Sequence, residues 1–313
     1  MMTVKEISYS VYGRCVCATY EDIELIATLE VGPRIVSLKN RTSDNPFYND
    51  VTGMHLGRAF ADKTLKQYGE ESGVWHNYGG HRLWTSPESA PRTPYPDNAP
   101  IEYVVGDDSI KFIQPIQKWT NIGLEIEIKF EGKNTLNVYH RLTNHGAWDA
   151  EFAPWALSVL DAGGVEIIPL PDNNTGFLAN TWVSLWSYCK MNDKRIYWGD
   201  KYITVTQDRE CVNPMKIGLR SLHGWSAYLL NSTLFVKYFT PYYEEGVFPD
   251  GGMNFETYTE ATFIEMETLG ELKKVKPGET VEHKETWEIF DNVSVDDFSE
   301  ESIDKMVEKY IIR

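Results

Sequence analysis

Leu124, Ile126, Ile128 and Phe130 alternate with Glu125, Glu127 and Lys129. A period of two sets every apolar side chain on one face of an extended strand. The pattern crosses Glu-Gly-Lys-Asn and resumes in "TLNVYHRLTN", which predicts a second strand folded back on the first. "IELIATLEVGPRIVSLKN" breaks at Gly32-Pro33, and "IEYVVGDDSIKFIQPI" breaks at Gly-Asp-Asp; each reads as two paired strands and a turn. "YITVTQD", "WSAYLLNSTLFVKYF", "ATFIEMETLGELKKV" and "ETVEHKETWEIF" extend the series. Long helical periods and strand–helix alternation are both missing, so the chain is predicted to be all-β, a large antiparallel sandwich.

The exception is "FSEESIDKMVEKYIIR", where Ile303, Met306, Val307, Tyr310 and Ile311 fall at helical spacing. A short C-terminal helix is expected over about 299–312, capped by Ser299 or Ser302. No linker, low-complexity tract or repeat divides the chain, and residues 1–313 read as a single domain. Residues 44–73 are long and irregular for a loop and run directly into "WHNYGGHRLWTSPE". A wall or lid of a site is expected there.

Composition narrows the partners. The net charge of −16 repels nucleic acid and anionic membranes, and no apolar run approaches the roughly 18 residues of a spanning helix. The N-terminal stretch lacks the apolar core of a secretory signal, giving an expectation of a cytoplasmic protein. Four cysteines, two of them in "CVC", fit reduced buried thiols. Ten tryptophans are more than a core alone requires, and a flat ring in a cleft stacks on the apolar face of a sugar. Phosphate-loop, nucleophile-elbow and zinc-ligand spacings are all missing, so neither a cofactor nor a metal is expected.

Three stretches concentrate the chemistry. In "YGGHRLWTSPE", Gly79-Gly80 marks a turn or a close backbone approach. The strand after it puts His81 and Leu83 on one face and Arg82 and Trp84 on the other. Arg82 is a rigid fork of donors, Trp84 a stacking plane, and Glu88 either anchors the arginine or accepts from a ligand hydroxyl. In "TFIEMETLG", Glu265 and Glu267 share a strand face. Paired carboxylates repel, and one with a raised pKa suits general acid or base work. In "NHGAWDAEFAPWALSVLDAGG", Pro154 suits an edge or entry position, and Trp155 is either a stacking ring or core. Lys216 and Lys237 read as snorkelling cations, His140 and His223 as ordinary satisfied histidines.

"YGGHRLWTSPE", "LTNHGAWDAEFAPWALSVLDAGG" and "FIEMETLGELKKVKPGETVEHKETWEIF" stand in an order and spacing that resembles the galactose mutarotase-like proteins. The likeness is to the branch with a G-G-x-R-x-W motif and spans roughly residues 20–292. It implies a β-supersandwich with a concave sugar site, and an aldose 1-epimerase chemistry in which a late-strand glutamate takes the anomeric proton. That position is Glu267, with Glu265 beside it, and His76 is the histidine candidate near the Gly-Gly pair. Tyr78, His81, Arg82, Trp84, Glu88, Trp155, Lys216 and Glu256 form the expected sugar-contacting set. The chain departs from the family pattern at Tyr78, where histidine or arginine is usual, and at Trp155 and Ser158, where a second histidine is expected. His145 belongs to the preceding turn. Two readings follow: a mutarotase or epimerase acting on a neutral or mildly acidic sugar, or a catalytically silent carbohydrate-binding or regulatory module on the same fold.

Overall fold

The computed structural model describes residues 1–53, 75–89 and 92–311. The expected wall or lid over 44–73 lies outside the described residues from 54 onward. Two antiparallel sheets, of eleven and ten strands, form the architecture. The sequence hairpins are present: Ile23–Thr28 with Ile35–Asn40, Glu102–Val105 with Ser109–Gln114, and Ile122–Phe130 with Thr135–Asn144. No helix among the described residues is long and apolar enough to cross a membrane.

Alternation decides what each face does. Ile126, Ile128, Leu136 and Val138 of one sheet and Leu83, Ile264 and Met266 of the other belong to one buried core cluster between the sheets. Each such side chain contributes about 1.5–3 kcal/mol by leaving water. The C-terminal helix, Glu300–Tyr310, is capped by Ser299, whose side chain accepts from the Ser302 amide. Its Ile303, Met306 and Val307 cover Leu234 and Val236 on the outer face of the ten-stranded sheet.

The eleven-stranded sheet carries the run that positions the candidate residues. Its central strands are Gly80–Ser86, Ala150–Asp161, Phe263–Leu269, Phe255–Thr259 and Met215–Leu219, neighbours in that order. Register places Leu157 opposite both Arg82 and Glu267, and Glu256 opposite Glu267. Lys216 pairs with Tyr258, which pairs with Glu265. Cross-strand partners share a face, so Arg82, Trp84, Trp155, Glu265, Glu267, Glu256 and Lys216 all point away from the core.

Pro154 departs from the edge position expected of it, for it lies inside the central strand opposite Thr85. Its neighbour changes there from Lys273–Val275, which ends at Phe152, to Phe263–Leu269, which begins at Trp155. At that junction a missing N–H donor interrupts little of the ladder, and the Pro154 carbonyl still accepts from the Gly270 amide.

Candidate functional site

The outward face of those five strands forms the floor of a cavity of about 270 Å³, lined by Arg82, Trp84, Trp155, Lys216, Glu265 and Glu267 among others. Gly79 and Gly80 set the first of these strands in place. Their φ values are +80° and +66°, and a Cβ on either would collide with the carbonyl of Tyr48 or Ile35. Only glycine takes both the left-handed backbone and the close approach.

Two buried cations organise the cavity. The Arg82 guanidinium lies 4.3 Å from the Trp84 ring centroid and 5.2 Å from that of Trp75, and its Nη2 donates to Glu265 Oε1 at 3.0 Å. Lys216 Nζ sits 4.6 Å from Trp155 and 4.7 Å from Trp186, and donates to Glu267 Oε2 at 2.8 Å. Glu256 Oε2 approaches the same ammonium at 2.7 Å, and Glu256 Oε1 has no hydrogen-bond partner among the described residues. The snorkelling expected of the lysines is corrected: Lys216 and Lys237 are 6% and 0% exposed, held inside by carboxylates.

Charge states follow from burial and these partners. Desolvation alone would lower the Lys216 ammonium, but Glu256 and Glu267 outweigh it and hold the group charged. Burial drives the Glu256 carboxyl well above the usual range, and Lys216 only partly opposes this. One ammonium needs one carboxylate. Glu267 Oε2 accepts from both Lys216 Nζ and Trp155 Nε1, each at 2.8 Å. Burial also raises the Glu265 carboxyl, against the pull of Arg82.

Several polar atoms at this face lack a partner among the described residues: Glu267 Oε1, Arg82 Nε and Nη1, and Trp75 Nε1. Buried polar groups are satisfied in over nine cases in ten, roughly, so a cluster of unsatisfied donors and one acceptor around a single cavity describes a ligand's hydrogen-bonding complement. Aromatic walls complete it, with Tyr188, Tyr258 and Phe263 beside the tryptophans.

Arg82, Trp84, Glu88, Trp155, Lys216, Glu265 and Glu267 thus meet at one cavity, with Glu88 exposed at its rim. Glu256 stands behind Lys216. The carboxylate that meets Arg82 is Glu265, not Glu88. Besides Glu256, three expected residues do not line the cavity. His76 and Tyr78 line a separate cleft with Tyr12 and Asp50, because the two left-handed glycines break the strand alternation that would have carried their face forward to Arg82. His81 is fully buried on the core side, where Nδ1 lies 2.9 Å from Ser158 Oγ and Nε2 lies 2.7 Å from His140 Nε2. Trp75, Asn77, Trp186, Tyr188, Tyr258 and Glu260 also line the cavity; of these, alternation from Glu256 alone would have found Tyr258.

Below the cavity floor lies a charged layer between the sheets. His81, His140 and Glu285 offer ligand atoms within 4.8 Å of one another, the grouping among the described residues that a metal would suit best. Hydrogen bonds already account for these atoms. His140 Nδ1 lies 3.0 Å from the His283 carbonyl, which only accepts, so Nδ1 carries the proton and Nε2 accepts from His81. Glu285 takes Trp287 Nε1 at 2.7 Å, the Thr268 hydroxyl, and the Lys237 ammonium at 3.1 Å. Burial would raise its pKa, but Lys237 and the histidines hold it below the ordinary value. Lys237 also donates to the Met266 carbonyl at 3.1 Å, between Glu265 and Glu267. The layer supports the strand of the two glutamates from beneath.

The sequence matches no protein-family model and no curated protein. Solved structures share the fold. A provisionally named aldose 1-epimerase from Klebsiella pneumoniae superposes with a TM-score of 0.61 at 11% identity, over 98% of this chain and 86% of that one. A galactose mutarotase-like protein from Lactobacillus casei gives 0.53 at 12%, over 88% and 100%. A TPR-domain containing protein from Parabacteroides distasonis gives 0.59 at 12%, over 91% of this chain, which spans about half (48%) of that longer one.

Proposed function

We propose, for a chain with the galactose mutarotase-like fold and this cavity, that it binds a single sugar ring and interconverts its anomers. The observation that carries the reading is Glu267. One carboxylate oxygen is fixed by Trp155 and Lys216, and the other is buried, unpartnered among the described residues, on the cavity face. A base held in this way needs no reorganisation to meet a proton.

In the proposed reaction, Glu267 Oε1 takes the proton of the anomeric hydroxyl as the bond from C1 to the ring oxygen breaks. Glu265, whose carboxyl burial keeps protonated more readily than a free glutamate, gives its proton to the ring oxygen. The open-chain aldehyde turns about C1–C2 and closes from the other face. Both protons return, and the enzyme ends as it began. Arg82 Nε and Nη1 donate to sugar hydroxyls, and the tryptophan walls take the apolar face of the ring. Each positioned proton transfer contributes about 10²–10⁴-fold. We treat residues 1–313 as one working domain, because the cavity strands come from both halves of the chain and lie in one sheet.

The second reading, a silent carbohydrate-binding module, is favoured by one observation: no histidine lines the cavity among the described residues. Saturation-transfer NMR on anomer pairs from a panel of neutral aldoses separates the two. The expected result is acceleration that Glu267→Gln reduces by about 10²-fold or more, with affinity changed only severalfold. A sugar that binds without faster exchange overturns the enzyme and leaves the module. A panel in which nothing binds overturns both.

A further inference from the structure

Trp84 borders a second feature. Behind it lies a small cavity of about 10 Å³ that includes Arg34, Asp97, Gln114 and Tyr95. Asp97, Gln114 and Tyr95 also line an outer cavity of about 150 Å³, with Trp119 and the prolines at 96 and 115. The Tyr95 and Trp119 rings form one wall, their centroids 4.3 Å apart and their planes tilted by 38°.

The inner end is polar and unsatisfied. Arg34, Asp97 and Gln114 are 2%, 6% and 7% exposed. Arg34 Nη1 and Asp97 Oδ2 form a close ion pair. Arg34 Nε and Nη2, Asp97 Oδ1 and Gln114 Oε1 have no partner among the described residues. Leaving a buried polar atom unmatched is costly, and here donors and acceptors converge on the same space.

We infer that the outer cavity is a second carbohydrate-binding subsite, distinct from the Glu267 cavity, for one neutral sugar ring. The ring lies against the Tyr95–Trp119 wall with hydroxyls toward Asp97 Oδ1 and Gln114 Oε1. The inner cavity has room for about one water, which relays the Arg34 N–H groups to the sugar. Three features select this ligand class. Hydroxyls donate and accept, which the mixed inner end requires. The Arg34–Asp97 pair cancels its own charge, so the inner end draws in no ion. The outward face of the Tyr95–Trp119 ring pair suits a ring with an apolar face. A proline-rich peptide fits less well, since proline brings no donor to the two carboxyl and amide oxygens. The inference stands apart from the anomer chemistry proposed for the first cavity.

Fluorine NMR of the full chain labelled with 5-fluorotryptophan tests it, using methyl β-galactoside and methyl α-glucoside, which cannot change anomer. Trp119→Phe and Trp155→Phe assign the two signals. Both signals are expected to titrate with separate midpoints, and Gln114→Leu to weaken the Trp119 titration about tenfold while leaving that of Trp155 unchanged. A Trp119 signal that stays still while Trp155 saturates overturns the second subsite and leaves the first. Loss of the Trp119 titration on Trp155→Phe shows one site and overturns it as well. Movement at Trp119 alone supports the subsite and counts against the first cavity. Stillness at both overturns both.

Discussion

Glu166 shows how far a single residue can feel the fold. It is fully buried in the layer between the sheets, and desolvation pushes its carboxyl up to about 8 despite the hydrogen bond from the Ser226 hydroxyl. The folded chain therefore keeps this proton over a range in which an unfolded glutamate, near 4.5, has lost it. Stability from this group is complete below the unfolded value and is lost as pH rises through the folded one. Urea unfolding of wild type and Glu166→Gln across pH 4.5–9 checks this. The variant should gain on wild type by a few kcal/mol between about 4.5 and 8, with no further change above. A constant difference across the range contradicts the buried-acid account. Lys216 teaches the same lesson from the other sign. By sequence it reads as a surface cation, since nothing within several residues hints at a partner. Its carboxylates, Glu256 and Glu267, come from two strands reached only through register.

At the scale of the element, the strand is the unit that the sequence reports well. Period-two alternation located Ile122–Phe130 and Thr135–Asn144, and it put Arg82 with Trp84 and Glu265 with Glu267 on shared faces. It failed where the backbone leaves the extended region. His76 and Tyr78 precede Gly79 and Gly80, whose positive φ values reset the direction of the chain, so parity counted across them has no meaning. Those glycines also set the depth at which Arg82 enters the cavity. Gly80→Ala should cost about 2 kcal/mol or more, combining a left-handed penalty with a collision at the Ile35 carbonyl. Chemical denaturation checks it, and a loss below about 0.5 kcal/mol contradicts the claimed close approach.

Across the whole molecule, the two-sheet architecture and terminal helix were legible because hydrophobic periodicity is a local signal. The site was legible only in pieces. Five strands drawn from residues 80 to 269 supply its floor, and their order in the sheet, 80–86, 150–161, 263–269, 255–259, 215–219, follows no sequence rule. Trp186 joins Lys216 from outside these strands, which no spacing could announce. What the assembled molecule adds is convergence: two tryptophan-flanked cations, two buried carboxyls and unsatisfied donors around about 270 Å³. Groups that would each be unremarkable on separate faces form one candidate site when one sheet gathers them.

The most direct test is a crystal structure with a bound 1-deoxy or methyl glycoside of whichever neutral hexose binds tightest. The ring is expected against the tryptophan wall, with its C1 end facing Glu267 Oε1 and with hydroxyls on Arg82 Nε and Nη1. A sugar seated elsewhere, while Glu267 Oε1 turns to a protein donor, contradicts the account.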